Sequence, residues 1–405
     1  MESVIPKPVQ RTGDTPAQPD RRKSPGQPRP GRVGAGLRYL VLSAHDYRSP
    51  RKANIHFIAR ELARRGETRF FSLRYSLLSR RTGDPRLSLD REANRVGVLD
   101  GVECYLWKTP IHPFNTRRPD LRKLEEWMFR GYVALASRVL KRWLSEADVV
   151  VFESGVSPVF FDLAKRLNPR ARTIYIASDD LDTIEVADYV KGAFRRAAPK
   201  MDTIRIPSRT LVERMPSKDN LVLVPHGIDH KLAGAEEPSP YRDALNAVSV
   251  GSMLFDPGFF AEASHRFPNV HFHIIGCGQP HHPSYGPNVT VYDEMPHEDT
   301  VRYIRHADIG IAPYRSEAVP AYLADTSMKL IQYDFFGVPA VCPHAVVGSY
   351  ASRFGYKPGD GVSVEQAINQ ALKAPRGASR QHLNWSEVTN RILAPADFDD
   401  TRISP

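Results

Sequence analysis

The sequence predicts an α/β protein in which two Rossmann-like domains, each a parallel sheet covered by helices, face a common cleft. Its length of 405 residues exceeds what one hydrophobic core usually serves. Short apolar runs alternate with amphipathic helical patterns through both halves of the chain, which is typical of parallel sheets. Most of these runs end in short polar turns, and such sheets bind ligands at the carboxyl ends of their strands.

The composition favours an anionic partner. The formal net charge is +10 and the sequence pI is about 9.5, which suits nucleic acid, acidic lipid or a phosphorylated substrate without choosing among them. The three cysteines are far apart, so neither a disulfide framework nor a zinc site is expected. No apolar run approaches the ~20 residues of a membrane-spanning helix. The N-terminus also lacks the apolar segment of a secretory signal.

Residues 1–36 are predicted to form a disordered basic tail, because they are rich in proline and arginine and have little to bury. A solvated tail is the preferred interpretation. Contact of this tail with anionic lipid is the alternative.

Residues 37–229 are predicted to form the first domain. Its strands are expected at 38–43, 69–73, 102–107, 148–152, 172–177, 204–207 and 221–224. A polar loop follows the first strand, and the helix after that loop is predicted to end at Gly66.

Residues 119–145 are predicted to form one long helix, since apolar residues recur there at helical spacing beside a basic side. Leu124, Trp127 and Trp143 are among the apolar positions. A basic amphipathic stretch with tryptophan suits a membrane surface. A helix that packs on the sheet and exposes its charged side explains the same pattern.

Asp179 follows the strand predicted at 172–177 and therefore stands at a carboxyl end, where catalytic groups collect. A carboxylate there can act as a general base, or it can cap the next helix. Asp180 and Asp182 form a DxD tripeptide of the kind that binds divalent metal in another transferase fold. Three residues match by chance often, and we expect no metal.

Residues 230–383 are predicted to form the second domain, with strands at 247–250, 270–275, 289–292, 309–312 and 338–341. Its most informative stretch runs from strand 309–312 through a polar loop to a helix that begins near Met328 and ends at Gly337. A helix N-terminus offers backbone N–H groups and partial positive charge to phosphate, and Lys329 adds a full charge. A surface lysine on an ordinary helix is the alternative.

Seven segments of the chain carry a resemblance to a known family. They read VLSAHDYRSPRKANIHFI, IHPFNTRR, VFESG, ASDDLDTI, VGSMLFDPGFF, SMKLIQYDFFGVPAVCP and SRFGY, and they spread from about Leu37 to Trp385. In them the sequence resembles the membrane-associated glucuronosyltransferases of xanthan-type exopolysaccharide assembly, which have the GT-B fold.

The resemblance implies an inverting transferase that moves glucuronate from UDP-glucuronate to a polyprenyl-diphosphate-linked oligosaccharide. It implies no cofactor, no metal and no nucleic-acid partner, and a peripheral place on an anionic membrane surface at the cytoplasmic face of the bacterial inner membrane. Asp179 would be the catalytic base and Lys329 would assist the leaving group. The implied nucleotide-binding residues are Met253, Glu294, Met295, Tyr314, Leu323, Ser327, Met328, Lys329 and Gln332. Residues 384–405 would cross back to the first domain.

Three alternatives remain open at this stage. A nucleotide-sugar epimerase can share the two-sheet architecture, and a glycosyltransferase of this fold can use another UDP-sugar. A basic nucleic-acid-binding protein is the third, although the basic residues lack the frame of a known binding motif.

Overall fold

The computed structural model describes residues 36–49, 52–81, 83–233, 237–242, 245–315, 319–377 and 381–403. The predicted tail at 1–36 lies outside these ranges except for Gly36. All the described residues belong to one compact unit.

The first sheet has eight strands. They are β1 (Leu37–Ser43), β2 (Gly66–Ser76), β3 (Val96–Leu99), β4 (Val102–Thr109), β5 (Val149–Glu153), β6 (Arg172–Ile176), β7 (Thr203–Ile206) and β8 (Leu221–Leu223). Their order is β3-β4-β2-β1-β5-β6-β7-β8, and every neighbouring pair is parallel except β3 with β4. The helices around this sheet are α1 (Asn54–Ala63), α2 (Arg122–Ala134), α3 (Arg138–Glu146), α4 (Phe161–Leu167) and α5 (Asp188–Ala197).

The second sheet has six parallel strands. They are β9 (Asn246–Val250), β10 (His271–Ile275), β11 (Val289–Tyr292), β12 (Ile309–Ile311), β13 (Ala340–Pro343) and β14 (Arg353–Tyr356), in the order β11-β10-β9-β12-β13-β14. The remaining helices are α6 (Pro257–Arg266), α7 (His297–His306), α8 (Leu323–Thr326), α9 (Met328–Phe335), α10 (Gly361–Lys373) and α11 (Trp385–Leu393). The predicted fold class, two α/β sheets of Rossmann type, is confirmed.

The prediction of one long helix over 119–145 is wrong, because the chain forms α2 and α3 with a break at 135–137. Ser137 causes the restart, since its side chain accepts a hydrogen bond from the backbone N–H of Leu140 at 3.1 Å. The break also divides the apolar residues. Trp143 of α3 is fully buried on the sheet, whereas Trp127 of α2 is 71% exposed.

The predicted end of α1 at Gly66 is also wrong. The helix ends at Ala63, and Gly66 is the first residue of β2, paired with Leu37 of β1. A Cβ atom at Gly66 would lie 2.1 Å from the carbonyl oxygen of Leu37. The glycine therefore serves the close approach of two strands and not the end of a helix.

Two strands were not predicted. β3 is an edge strand whose Val98 is 69% exposed, so no buried apolar run marks it, and its antiparallel pairing makes the first sheet mixed. β14 includes the buried Arg353, a residue type that sequence patterns assign to the surface.

One hydrophobic cluster contains residues of both sheets. The last helix packs on α1 in a second cluster. Trp385 of α11 stacks on Phe57 of α1 with ring centroids 4.9 Å apart. Arg65, just after α1, donates to the side chains of Ser386 at 2.7 Å and Asn390 at 2.9 Å. A cavity of about 200 Å³ lies where residues that follow β7 and β8 meet α8.

Candidate functional site

Asp179 lies in the turn after β6, and its backbone N–H donates to the hydroxyl of Ser154 at 3.2 Å. Its neighbour Asp180 organises the turn, accepting hydrogen bonds from Thr183 at 3.1 Å and Arg214 at 3.0 Å. The next helix, α5, begins only at Asp188 and has no side-chain cap. The capping alternative for Asp179 is therefore wrong.

A buried acid lies beside Asp179. Glu153 ends β5 and is 2% exposed, and it accepts hydrogen bonds from the hydroxyls of Ser43 and, at 3.1 Å, Ser178. The Nε2 atom of His45 is 4.0 Å from the Glu153 carboxylate. These side chains come from the ends of three neighbouring strands, β1, β5 and β6, so the sheet order itself assembles the cluster.

The surroundings raise the pKa of Asp179 to about 6. Burial is the largest cause, because it disfavours the charged carboxylate, and the negative charge of Glu153 adds to it. His45 and the hydroxyl of Tyr322 act in the opposite direction. Tyr322 precedes α8 in the second half of the chain and is buried, so Asp179 lies where the two halves meet.

The start of α9 is built differently from an ordinary helix N-terminus. Ser327 is the N-cap residue, but its side chain makes no cap hydrogen bond. Its hydroxyl lies 2.6 Å from the hydroxyl of the fully buried Tyr314. Lys329 is also buried, and its Nζ atom lies over the Tyr314 ring, 5.4 Å from the centroid. Since the Ser327 hydroxyl does not cap the helix, the first turn keeps the anion-binding character of a helix N-terminus.

The loop after β9, which contains Met253, is bonded to the loop after β12, which contains Tyr314. Phe255 forms an isolated bridge with Tyr314, and the N–H of Arg315 donates to the carbonyl of Leu254 at 2.9 Å. Both loops follow the carboxyl ends of adjacent strands.

The nine predicted nucleotide-binding residues all follow strands of the second sheet or belong to α8 and α9. Tyr314, Leu323, Ser327, Lys329 and Gln332 are buried, Met295 and Met328 are half-buried, and Met253 and Glu294 are exposed. Contacts join Tyr314, Ser327 and Lys329 directly. Glu294 and Met295 follow β11, which is separated from β9 by one strand. Their roles stay predictions.

The DxD tripeptide is paired within the protein. Asp180 accepts from Arg214, and Asp182 lies 2.5 Å from the Nζ atom of Lys191. Within the described ranges, His, Cys, Asp and Glu side chains form no group of three or more that could hold a metal ion. The expectation of a metal-independent site stays a prediction.

Sequence reasoning missed His45, Glu153 and Tyr322. Glu153 carries the same signal as Asp179, a polar residue at the carboxyl end of an apolar run, and that signal could have found it. His45 stands in the loop after β1, among several polar residues with nothing to single it out. No sequence pattern singles out Tyr322, because its place near Asp179 arises only when two segments that are distant in sequence come together.

Solved structures share this architecture over most of the chain. The Anabaena protein HepE in complex with UDP and glucose matches with a TM-score of 0.55 and 13% identity, covering 89% of this chain and 95% of that one. A putative UDP-N-acetylglucosamine 2-epimerase from Listeria monocytogenes matches with a TM-score of 0.54 and 9% identity, covering 91% and 98%. Two Rossmann-like sheets around a shared cleft are the GT-B fold, and the protein has that fold.

Sequence comparison is more specific. A family model described as "Glucuronosyltransferase GumK, N-terminal domain" matches residues 41–207. The UDP-glucuronate:glycolipid 2-beta-glucuronosyltransferase of Xanthomonas campestris pv. campestris is 57% identical over 379 residues, 93% of this chain and 95% of that protein. The chain belongs to this family of glucuronosyltransferases and is a glycosyltransferase. The resemblance seen in the sequence is confirmed, and the family separates a transferase from an epimerase where the fold alone does not.

Proposed function

We propose that this protein transfers glucuronate from UDP-glucuronate, with inversion, to an oligosaccharide carried on a polyprenyl diphosphate, at the cytoplasmic face of the bacterial inner membrane. Asp179 is the base, the start of α9 receives the diphosphate, and neither metal nor cofactor takes part. The observation that carries the proposal is the position of Asp179, at the carboxyl end of β6, beside the buried Glu153 and near Tyr322 of the second half.

The chemistry follows from the charge state of Asp179. A carboxyl group with a pKa of about 6 is ionised at neutral pH and is a stronger base than an ordinary aspartate. It takes the proton of the acceptor hydroxyl as that oxygen forms its bond to the anomeric carbon. The bond from this carbon to the diphosphate oxygen breaks on the opposite face, so the configuration inverts and UDP leaves.

The leaving diphosphate gains negative charge in the transition state and needs a fixed positive partner. The first turn of α9 supplies backbone N–H groups and the helix dipole, and Lys329 supplies a cation. Burial of Lys329 against Tyr314 strengthens its interaction with an anion, because screening by water is reduced. This arrangement supports a mechanism without metal.

The donor and acceptor come from the relative. Its name gives UDP-glucuronate and a glycolipid, and the alignment covers nearly all of both chains. A panel of UDP-sugars incubated with the protein and a bacterial lipid extract tests this choice. Transfer from UDP-glucuronate alone is expected. Transfer only from another UDP-sugar would contradict UDP-glucuronate as the donor. Interconversion of UDP-sugars in the absence of lipid would instead support the epimerase alternative.

The exposed side of α2 supports the membrane part of the proposal. Leu124 and Trp127 are exposed there beside Lys123 and Arg130, and Leu135, just after the helix, is 78% exposed. Apolar side chains within a basic surface suit the interface of an anionic bilayer. Of the helices in the described part of the chain, none is both long and apolar enough to cross a membrane.

Flotation with vesicles that contain acidic phospholipid tests this surface. The double substitution Leu124→Ser with Trp127→Ser should move the protein from the vesicle fraction to the free fraction, because about 1.5–3 kcal/mol is lost for each large apolar side chain. Val362→Ser is the matched control, since Val362 is exposed on α10 of the second half. Equal flotation of the double variant and the control would contradict the assignment.

A further inference from the structure

The carboxyl end of β2 is irregular at Arg74. The pairing of β2 with β4 loses its register between Ser72 and Tyr75. Arg74 has φ +57, a left-handed conformation that is strained for a residue with a side chain. Its backbone N–H donates to the hydroxyl of Tyr132 on α2 at 3.0 Å. Bulges of this kind turn a side chain out of the strand pattern and occur next to functional sites.

A second guanidinium, that of Arg86, acts on this side chain. Arg86 is buried and binds Asp84 through two nitrogens at 2.9 and 2.7 Å, so the carboxylate of Asp84 is already paired. Arg86 and Arg74 both lower the pKa of His112, after burial, to about 4. Among the ion pairs of the described residues none includes Arg74, whose own pKa is lowered by burial and by Arg86. A half-buried guanidinium in such a place is destabilising unless an anion joins it.

His112 is oriented by the same strand end. Its Nδ1 atom lies 2.8 Å from the hydroxyl oxygen of Ser76. That oxygen also accepts from the backbone N–H of Leu78 at 3.1 Å, so the Ser76 hydroxyl is held in place at the strand end. With Nδ1 at Ser76, Nε2 is the ring nitrogen that can meet a ligand, and it donates an N–H in the tautomer that accepts from the Ser76 hydroxyl.

The location suits the acceptor better than the donor. In the strand order, β2 is three strand spacings, about 14 Å, from β6 and Asp179. That distance leaves room for a short oligosaccharide between the reacting hydroxyl and the guanidinium. Tyr132 faces Arg74 from α2, the helix that exposes Trp127, and Ile111 beside His112 is exposed as well. Arg74 therefore lies against α2, the helix that carries the proposed membrane surface.

We propose that Arg74 and His112 form a phosphate subsite that binds the diphosphate of the lipid-linked acceptor. The inference rests on the proposed function. Arginine suits the role, because its planar fork of N–H groups binds phosphate oxygens in pairs. The subsite holds the lipid end of the acceptor while the far sugar reaches Asp179.

Arg74→Asn tests the subsite, because asparagine tolerates the left-handed conformation and the fold should survive. Each variant is assayed with the polyprenyl-diphosphate glycolipid and with the same oligosaccharide on a phosphate-free alkyl chain. Arg74→Asn should raise KM for the diphosphate acceptor about tenfold or more, leaving KM for UDP-glucuronate and the reaction of the phosphate-free acceptor unchanged. His112→Ala should show a smaller change of the same kind.

The control is Arg80→Asn, since Arg80 is exposed just after β2. This substitution should leave KM for both acceptors unchanged. Equal losses with the two acceptors would overturn the proposal. The proposal would also be overturned if Arg74→Asn no longer floated with vesicles but still preferred the diphosphate acceptor to the phosphate-free one. That result would show that Arg74 binds a phospholipid headgroup. Failure of the proposed function would appear separately, as absence of transfer from UDP-glucuronate by the wild-type protein.

Discussion

At the level of single residues, groups that are distant in sequence set the basicity of one carboxyl, that of Asp179. The sequence places Asp179 after an apolar strand, but it was the family resemblance that gave this residue the role of base. Its raised pKa could not be predicted, since it comes from burial, from Glu153 and from groups that distant segments bring near. The same holds for Arg74, whose unusual backbone is visible only once β2 and β4 are paired.

Replacing the base should remove catalysis without removing the donor. Asp179→Asn should lower kcat by about 10²–10⁴-fold, because the hydroxyl loses its proton acceptor, while the Kd for UDP is unchanged. In the wild-type protein kcat/KM should fall tenfold per pH unit below about pH 6, as Asp179 becomes protonated. Asp182→Asn is the control, and it should retain activity. Loss of activity in that control would instead support a metal at the DxD tripeptide.

The same substitution should stabilise the protein at neutral pH. The folded-state pKa of Asp179 is above its ordinary value, so the folded protein binds more protons and loses stability as the pH rises from about 4 to 6. Asparagine has no such titration. Asp179→Asn should therefore raise the free energy of unfolding at pH 7.5 by about 1–3 kcal/mol, a range that allows for the partial exposure of the side chain. The variant should unfold at a higher denaturant concentration than wild type at pH 7.5, and the difference should vanish near pH 4. A variant less stable than wild type at pH 7.5 would contradict the raised pKa.

At the level of single elements, local signals predicted the segment from β12 to the end of α9 well, apart from the short helix α8 in the predicted loop. Strand β12, the start of α9 at Ser327 and its end at Gly337 all follow from short-range patterns, and Gly337 has the expected positive φ of +65. The helices α2 and α3 were not separated, because apolar spacing continues through the break that Ser137 creates. The periodicity of apolar residues shows which residues lie on the same face of a helix. It does not show whether that face packs on the sheet or is exposed to solvent.

The start of α9 makes a direct prediction for nucleotide binding. Lys329→Ala should raise the Kd for UDP about tenfold or more and slow turnover, because a buried cation near the diphosphate is lost. Isothermal titration with UDP measures the first effect. Lys373→Ala, at the exposed end of α10, should leave the affinity unchanged. Equal affinities of the two variants would remove Lys329 from the phosphate site.

At the scale of the whole molecule, two sheets become one unit through contacts between residues far apart in sequence. Trp385 of α11 packs against Phe57 of α1, and Ser208 after β7 donates to Asp325 of α8 at 2.6 Å. No pattern within a single segment predicts such pairings. The number of sheets and the ends of most strands followed from the sequence, whereas the way the halves meet required the structure.

The stack of Trp385 on Phe57 should contribute to global stability. Trp385→Ala should lower the free energy of unfolding by about 3–5 kcal/mol, because a large buried side chain leaves a cavity between α1 and α11. Trp127→Ala, at an exposed tryptophan, should change it by less than about 0.5 kcal/mol. Denaturant unfolding compares the two variants. Similar midpoints would show that α11 does not hold the halves together.

A crystal structure of the protein with UDP tests the central claim most directly. The diphosphate of UDP is expected against the first turn of α9, within hydrogen-bond distance of Lys329. Asp179 is expected across the cleft, facing the space that the donor sugar and the acceptor would occupy. Density for UDP away from Ser327 and Lys329 would contradict the donor site and, with it, the role given to Asp179.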